Sequence, residues 1–236
     1  MSTESRPPRF ASFDDAWAWF ERTPALEPLA AQRARLLQGR AQLLAFQARV
    51  DADGPAAELI AAVREVLAAV EGVALLPSDL LHVSVLGAGF QVVARNRPDD
   101  VLRQDVPALA ERAATALARV APCDGTVGPV NVFPDAVVLE VRAPALIEAR
   151  RALATVVQQD AFAVDDVHYL PHCTLAMFSE PAAALAPLRA ALPHLRALPP
   201  APFRVEALEF VRWWFTGLDD TEPPDLDVIR RYRLRA

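Results

Sequence analysis

The sequence contains no lysine: all 24 basic side chains are arginine, and 30 carboxylates outnumber them to give a formal net charge of −6. With no positive surplus and no basic stripe, the chain is unsuited to long nonspecific nucleic-acid tracking, which depends on neutralising many phosphates. A small or terminal phosphate-bearing ligand stays open. Cysteine is also scarce: Cys123 and Cys173 are too few for a disulfide framework and are not spaced as zinc ligands, which suits a reducing compartment. No apolar run approaches the roughly 18–20 residues of a membrane span. The opening "MSTESRPPRF" has acidic and proline residues where a secretory signal would be apolar. Together these absences lead to the expectation of a cytoplasmic protein without a membrane partner. No Gly-x-Ser-x-Gly elbow and no P-loop lysine occurs, so serine-hydrolase and nucleoside-triphosphatase readings fall away. "GAG" at 87–89 lacks the third glycine and helix start of a dinucleotide fingerprint, and reads as a turn closing a strand.

Apolar residues, by contrast, make up 53% of 236 residues, enough for a sizeable core. Residues 1–40 read as a helical extension in which Ser12 caps an acidic first turn and Trp17, Phe20 and Phe13 share a face that docks on the main body, with a cofactor or base platform as the alternative. Residues 41–236 then tell one story twice. A strand at 43–50, an amphipathic helix at 55–70 and the strand "LHVSV" (81–85) are matched by a strand at 136–143, a proline-led helix at 144–157 and "PHCTL" (171–175). Each motif is followed by a further helix, at 106–120 and 182–195, and a further strand, at 126–133 and 203–215. Counting from Arg49 to His82 and from Arg142 to His172 aligns the two copies to within a few residues. The expected architecture is α+β and bilobal: two pseudo-symmetric lobes, each an antiparallel-type sheet covered by helices, with a cleft between them.

Positions i and i+2 of a strand share a face, so His82 projects with Ser84 and His172 with Thr174, while Val83, Val85, Cys173 and Leu175 go to the other side. Two opposed imidazoles suit phosphodiester chemistry, one taking a proton from the attacking oxygen and the other giving one to the leaving oxygen. Histidine titrates close enough to neutrality for either role. The hydroxyls of Ser84 and Thr174 would donate to nonbridging phosphate oxygens. The scheme requires no metal and no cofactor.

"LHVSV" and "YLPHCTLAMF", with the strand "VFPDAVVLEV" between them, resemble the 2H phosphoesterase superfamily, including its 2'-5' RNA ligase and 2',3'-cyclic phosphodiesterase group. The resemblance covers about residues 43–215. It implies two His-x-Thr/Ser motifs facing across a bilobal cleft and metal-free hydrolysis of 2',3'-cyclic phosphates or 2'-5' linkages. Serine replaces the commoner threonine in the first motif, and Met177 stands where many RNA-processing members carry a basic residue. The serine keeps the hydroxyl, while Met177, with the acidic balance and the missing basic patch, shifts the expected partner toward small nucleotides and short RNA ends.

Other residues carry alternatives. Tyr169 could stack on a base or pack against Phe178. In "EFVRWWF", Val211, Trp213 and Phe215 read as a core face, leaving Arg212 to pair with a phosphate and Trp214 to stack on a base, or both to form a second buried face. His168 lies four residues before His172, but Pro171 argues against a helical zinc pair, so it reads as a loop residue at the cleft rim. His194 reads as structural or exposed. The rival to a phosphodiesterase is a nucleotide- or RNA-end-binding module that turns nothing over; ligation is the same chemistry reversed.

Overall fold

Beginning at the capped turn, the computed structural model describes residues 8–157, 167–216 and 223–235. Helix α1 (Phe13–Arg22) starts where Ser12 accepts from the Asp15 amide at 3.1 Å, with Asp14 and Asp15 in its first turn. Helix α2 (Leu29–Leu37) ends at Gln38, whose φ of 48° is left-handed. The chain continues through β1 (Gln42–Arg49), α3 (Ala57–Ala68), β2 (Val73–Leu75), β3 (His82–Val92), β4 (Asp100–Leu102) and α4 (Val106–Leu117). It follows with β5 (Cys123–Phe133), β6 (Ala136–Arg142), α5 (Pro144–Ala154), β7 (His172–Phe178), α6 (Pro181–Arg196), β8 (Ala201–Val205), β9 (Ala207–Trp214) and β10 (Asp225–Arg233). Proline stands in the first turn of α4, α5 and α6, where its missing N–H costs nothing.

The α+β class with antiparallel strands is as the pattern predicts, but the strands form one hydrogen-bonded sheet where two were expected. Its order is β10-β9-β1-β3-β7-β6-β5-β8, with β2 added to β7 and the short β4 running parallel on β3. The two halves join at β3 and β7 through a single registered pair, Val83 opposite Cys173. Helices α3 to α6 cover one face, where Leu44, Phe46, Val83, Val85, Leu139 and Leu175 enter the main core. The opposite face carries a second apolar cluster of Leu43, Ala45, Phe90, Val211 and Trp213 beneath Leu37 of α2.

In three places the structure differs from the sequence pattern. The stretch 203–215 is two strands: β8 pairs with β5 at one edge, and β9 pairs with β1 in the other half. The buried apolar positions change parity across Glu206, from Phe203 and Val205 to Leu208 and Phe210, which a continuous strand cannot do without flipping faces. "GAG" is interior to β3, not a turn. Gly89 has φ +124° and sits so close to the Asp99 carbonyl that a Cβ would lie 2.4 Å from its oxygen, which is why glycine occupies a strand interior there. The repeat is also offset: His82 pairs opposite Arg49, whereas His172 pairs opposite Glu140, not Arg142.

The segment before β1 is fastened to both halves of the sheet. Asn131 on β5 donates from its amide nitrogen to the Phe13 carbonyl at 2.9 Å, and the Glu27 amide donates to the Pro134 carbonyl at 2.6 Å. Beyond α2, Arg40 pairs with Asp99 and Asp100 at 2.7 and 3.0 Å and lies over the Phe90 ring.

Candidate functional site

Strands β3 and β7 are neighbours at the centre of the sheet, and each begins with its motif histidine. Because Val83 and Cys173 are paired and fully buried on the helix side, His82, Ser84, His172 and Thr174 all project to the opposite face. An antiparallel register about that pair sets His82 toward Thr174 and Ser84 toward His172. The four residues named from the sequence therefore meet across the seam, each half-buried.

The two imidazoles are anchored alike. Nδ1 of His82 lies 2.7 Å from the Leu80 carbonyl oxygen, and Nδ1 of His172 lies 2.7 Å from that of Leu170. A carbonyl only accepts, so each Nδ1 carries the hydrogen and each Nε2 is left for chemistry. In His82 that Nε2 is 3.1 Å from the Ser84 hydroxyl. Each ring also rests on an aromatic side chain two strands outward. His82 packs on Trp213 of β9 at 5.0 Å between centroids, and His172 meets Phe133 of β5 edge-on at 4.6 Å.

Apolar surroundings disfavour the imidazolium. Burial lowers His82 to about 4, against a partial rise from the Leu80 carbonyl and with a further lowering by the charge of His172. Burial lowers His172 too, but the Leu170 carbonyl and the Asp135 carboxyl pull the other way. Asp135 is itself raised by burial. The pair is thus asymmetric: the carboxyl stands on the His172 side. Cys173, between His172 and Thr174, is buried and pushed up to about 12, so it remains a thiol.

A cavity of about 190 Å³ opens over His82, Ser84 and Thr174. Trp213 and Phe215 form one side, and Leu29, Arg33 and Leu36 of α2 form another, with Met177 also at its lining. His172 stands across the seam, beside a second cavity of about 170 Å³ that includes Phe133, Asp135, His168 and Leu170.

The three residues expected to bind substrate lie apart from the cavity over His82. Tyr169 ties the seam together: its hydroxyl donates to the Ser84 carbonyl at 3.0 Å, and the Arg150 guanidinium covers its ring at 4.6 Å. Arg212 and Trp214 both donate to Asp227 of β10, at 2.6 and 2.8 Å, and project from the face of β9 opposite Trp213. Alternation separated the two faces of "EFVRWWF" but not their destinations. Apolar clusters occupy both sides of the sheet, so Trp213 and Phe215, which read as core in the sequence, are the pair that reaches the histidine side. Arg33 was not anticipated at all, because an amphipathic helix does not announce which surface it covers. His168 is a loop residue and His194 is exposed on the last turn of α6.

A family model described as the 2'-5' RNA ligase superfamily matches residues 53–214. No curated protein matches. Among solved structures, TT0787 of Thermus thermophilus aligns with a TM-score of 0.57 at 18% identity, covering 82% of this chain and 98% of that one. A structure described as a phosphoesterase aligns with a TM-score of 0.58 at 17% identity, covering 83% and 99%. Escherichia coli LigT complexed with 3'-AMP aligns with a TM-score of 0.57 at 18% identity, covering 84% and 100%. At these identities the likeness is one of fold.

Proposed function

The chain belongs to the 2'-5' RNA ligase superfamily, and from that membership we propose that it is a metal-independent phosphodiesterase acting on 2',3'-cyclic phosphates or 2'-5' linked nucleotides and short oligonucleotides. The observation that carries the reading is the pair of histidines with Nδ1 fixed by a backbone carbonyl and Nε2 left for chemistry, set beside two hydroxyls on one face of adjoining strands. His82, whose neutral form is favoured by burial, serves as base. Its Nε2 takes a proton from the attacking water as the new P–O bond forms. His172, with Asp135 favouring its charged form, serves as acid. Its Nε2–H protonates the departing ribose oxygen as the old P–O bond breaks, leaving a phosphomonoester. Ser84 and Thr174 donate to the nonbridging oxygens, whose charge grows in the transition state. The two unpaired cysteines support a reducing, cytoplasmic setting.

The test is hydrolysis of a panel of 2',3'-cyclic nucleotides and 2'-5' and 3'-5' dinucleotides with chelator present. Turnover of at least one member is expected, falling about 10²- to 10⁴-fold in His82→Ala and in His172→Ala with melting temperature retained. Full activity in either variant would sink the two-histidine mechanism, and nucleotide binding without turnover would favour a binding module.

A further inference from the structure

Helix α2 lies outside the stretch matched by the family model, which begins at residue 53, yet it borders the same cavity as His82, Ser84 and Thr174. Its position is fixed from both halves of the sheet. Just before it, the Glu27 amide is bonded to Pro134, in the turn between β5 and β6 on the His172 side. Just after it, Arg40 is paired with Asp99 and Asp100, beside β3 on the His82 side. The helix therefore crosses the seam instead of resting on one half. Arg33 is 5% exposed and lines the cavity, with its guanidinium carbon 5.8 Å from the centroid of Phe215.

Resting on the phosphodiesterase reading, we propose that α2 completes the substrate site. Arg33 is the cation that holds a substrate phosphate oxygen, and Trp213 and Phe215 with Leu29 and Leu36 form the apolar slot for one base. Three observations converge. Met177 brings no charge to the lining, so Arg33 is the arginine among the described lining residues, and a guanidinium matches a phosphate through two parallel hydrogen bonds. The remaining lining is aromatic and aliphatic on two sides, as a stacked base requires. The cavity, about 190 Å³ as lined by the described residues, is below the ~300–1,000 Å³ of ordinary ligand sites, so it has room for one base and not for two. With the helix across the opening, a chain cannot continue in both directions. The substrate class is accordingly a cyclic mononucleotide or a linkage at a chain end, not one inside a polymer.

The experiment pairs kinetics with equilibrium binding of adenosine 3'-monophosphate. Arg33→Ala should weaken binding roughly ten- to a hundred-fold, the range for a lost charge-assisted hydrogen bond, with the larger part of the kinetic effect in KM, and Arg33→Lys should recover part of it. Gln32→Glu, on the cavity lining but less buried, should weaken binding by repulsion in a salt-dependent way and serves if Arg33→Ala does not fold. Wild type should cut a terminal 2'-5' linkage at least about tenfold faster than the same linkage inside an oligonucleotide, a discrimination of over ~1.4 kcal/mol. Unchanged binding in both Arg33→Ala and Gln32→Glu, or equal cutting of terminal and internal linkages, overturns the proposal while leaving the two-histidine mechanism standing. If wild type turns nothing over but binds the nucleotide through Arg33, the mechanism fails and this site survives. If wild type neither turns over nor binds, both fall.

Discussion

At the scale of single residues, the chemistry rests on how an imidazole is held. His82 has an ordinary value of 6.5 and a folded value of about 4, set first by burial. A depressed folded value means that the unfolded chain takes up the proton first as pH falls. The stabilisation from keeping the ring neutral is therefore complete above about 6.5 and is lost as pH drops through about 4. Melting temperature should decline across that window in wild type, and His82→Gln should flatten the decline, leaving only the part due to His172. In the same window the His82 ring resonance, followed by NMR, should titrate well below 6.5 in the free protein and move upward when phosphate binds, since an anion favours the imidazolium. A midpoint at or above the ordinary value would contradict the buried setting of the ring. The two His-x-Ser/Thr pairs were legible in the sequence because alternation alone puts i and i+2 together. Their anchors at Leu80 and Leu170 were not, since every residue has a carbonyl and side-chain identity does not say which one an imidazole will meet.

At the scale of elements, the misread segments are those where glycine or a parity change carried two meanings. Glycine inside an apolar run marks either a turn or a close backbone approach, and only the position of β4 decides for Gly89. Its φ of +124° and the 2.4 Å approach to the Asp99 carbonyl predict that Gly89→Ala costs about 2–3 kcal/mol. In a chain of this size that is a fall of roughly 4–12 °C in melting temperature. Gly39→Ala is the control, having positive φ but nothing within 4 Å, and should cost less. Equal losses in the two variants would mean that backbone conformation, not the close approach of β4, governs the site. The break at Glu206 was readable in principle, because Phe203 and Val205 fall on odd positions and Leu208 and Phe210 on even ones. That signal was masked by Val211 and Trp213, which are apolar on the other face and restore an apparent alternation. Tyr169 belongs to this scale too. Tyr169→Phe removes the bond to the Ser84 carbonyl and should lower stability by about 1 kcal/mol, while loosening the alignment of the two motifs enough to reduce kcat more than it alters KM. A KM effect alone would instead indicate direct substrate contact.

For the whole molecule, the internal repeat was visible from the order of elements, and it correctly placed both motif strands at matching positions. How the halves combine was not, since one continuous sheet and two separate sheets share the same local pattern and differ only in whether β3 meets β7. That meeting is a single registered pair, Val83 with Cys173, backed by the Tyr169 hydroxyl on the Ser84 carbonyl and the Arg150 guanidinium on the Val85 carbonyl. Cys173 provides a probe for it. Its thiol is fully buried and raised to about 12, hence unreactive unless the seam opens, whereas Cys123 is only half-buried. Native protein treated with a thiol reagent should label in two phases, and Cys123→Ser should remove the fast one. Nucleotide bound beneath α2 contacts both halves of the sheet, so it should slow the remaining phase by the population it withdraws from the open state. Labelling of Cys173 as fast as Cys123, or a slow phase indifferent to nucleotide, would mean that the halves move independently of the site. The catalytic geometry would then have to be held by each half alone, although two histidines acting on one phosphorus must keep a fixed separation across the seam.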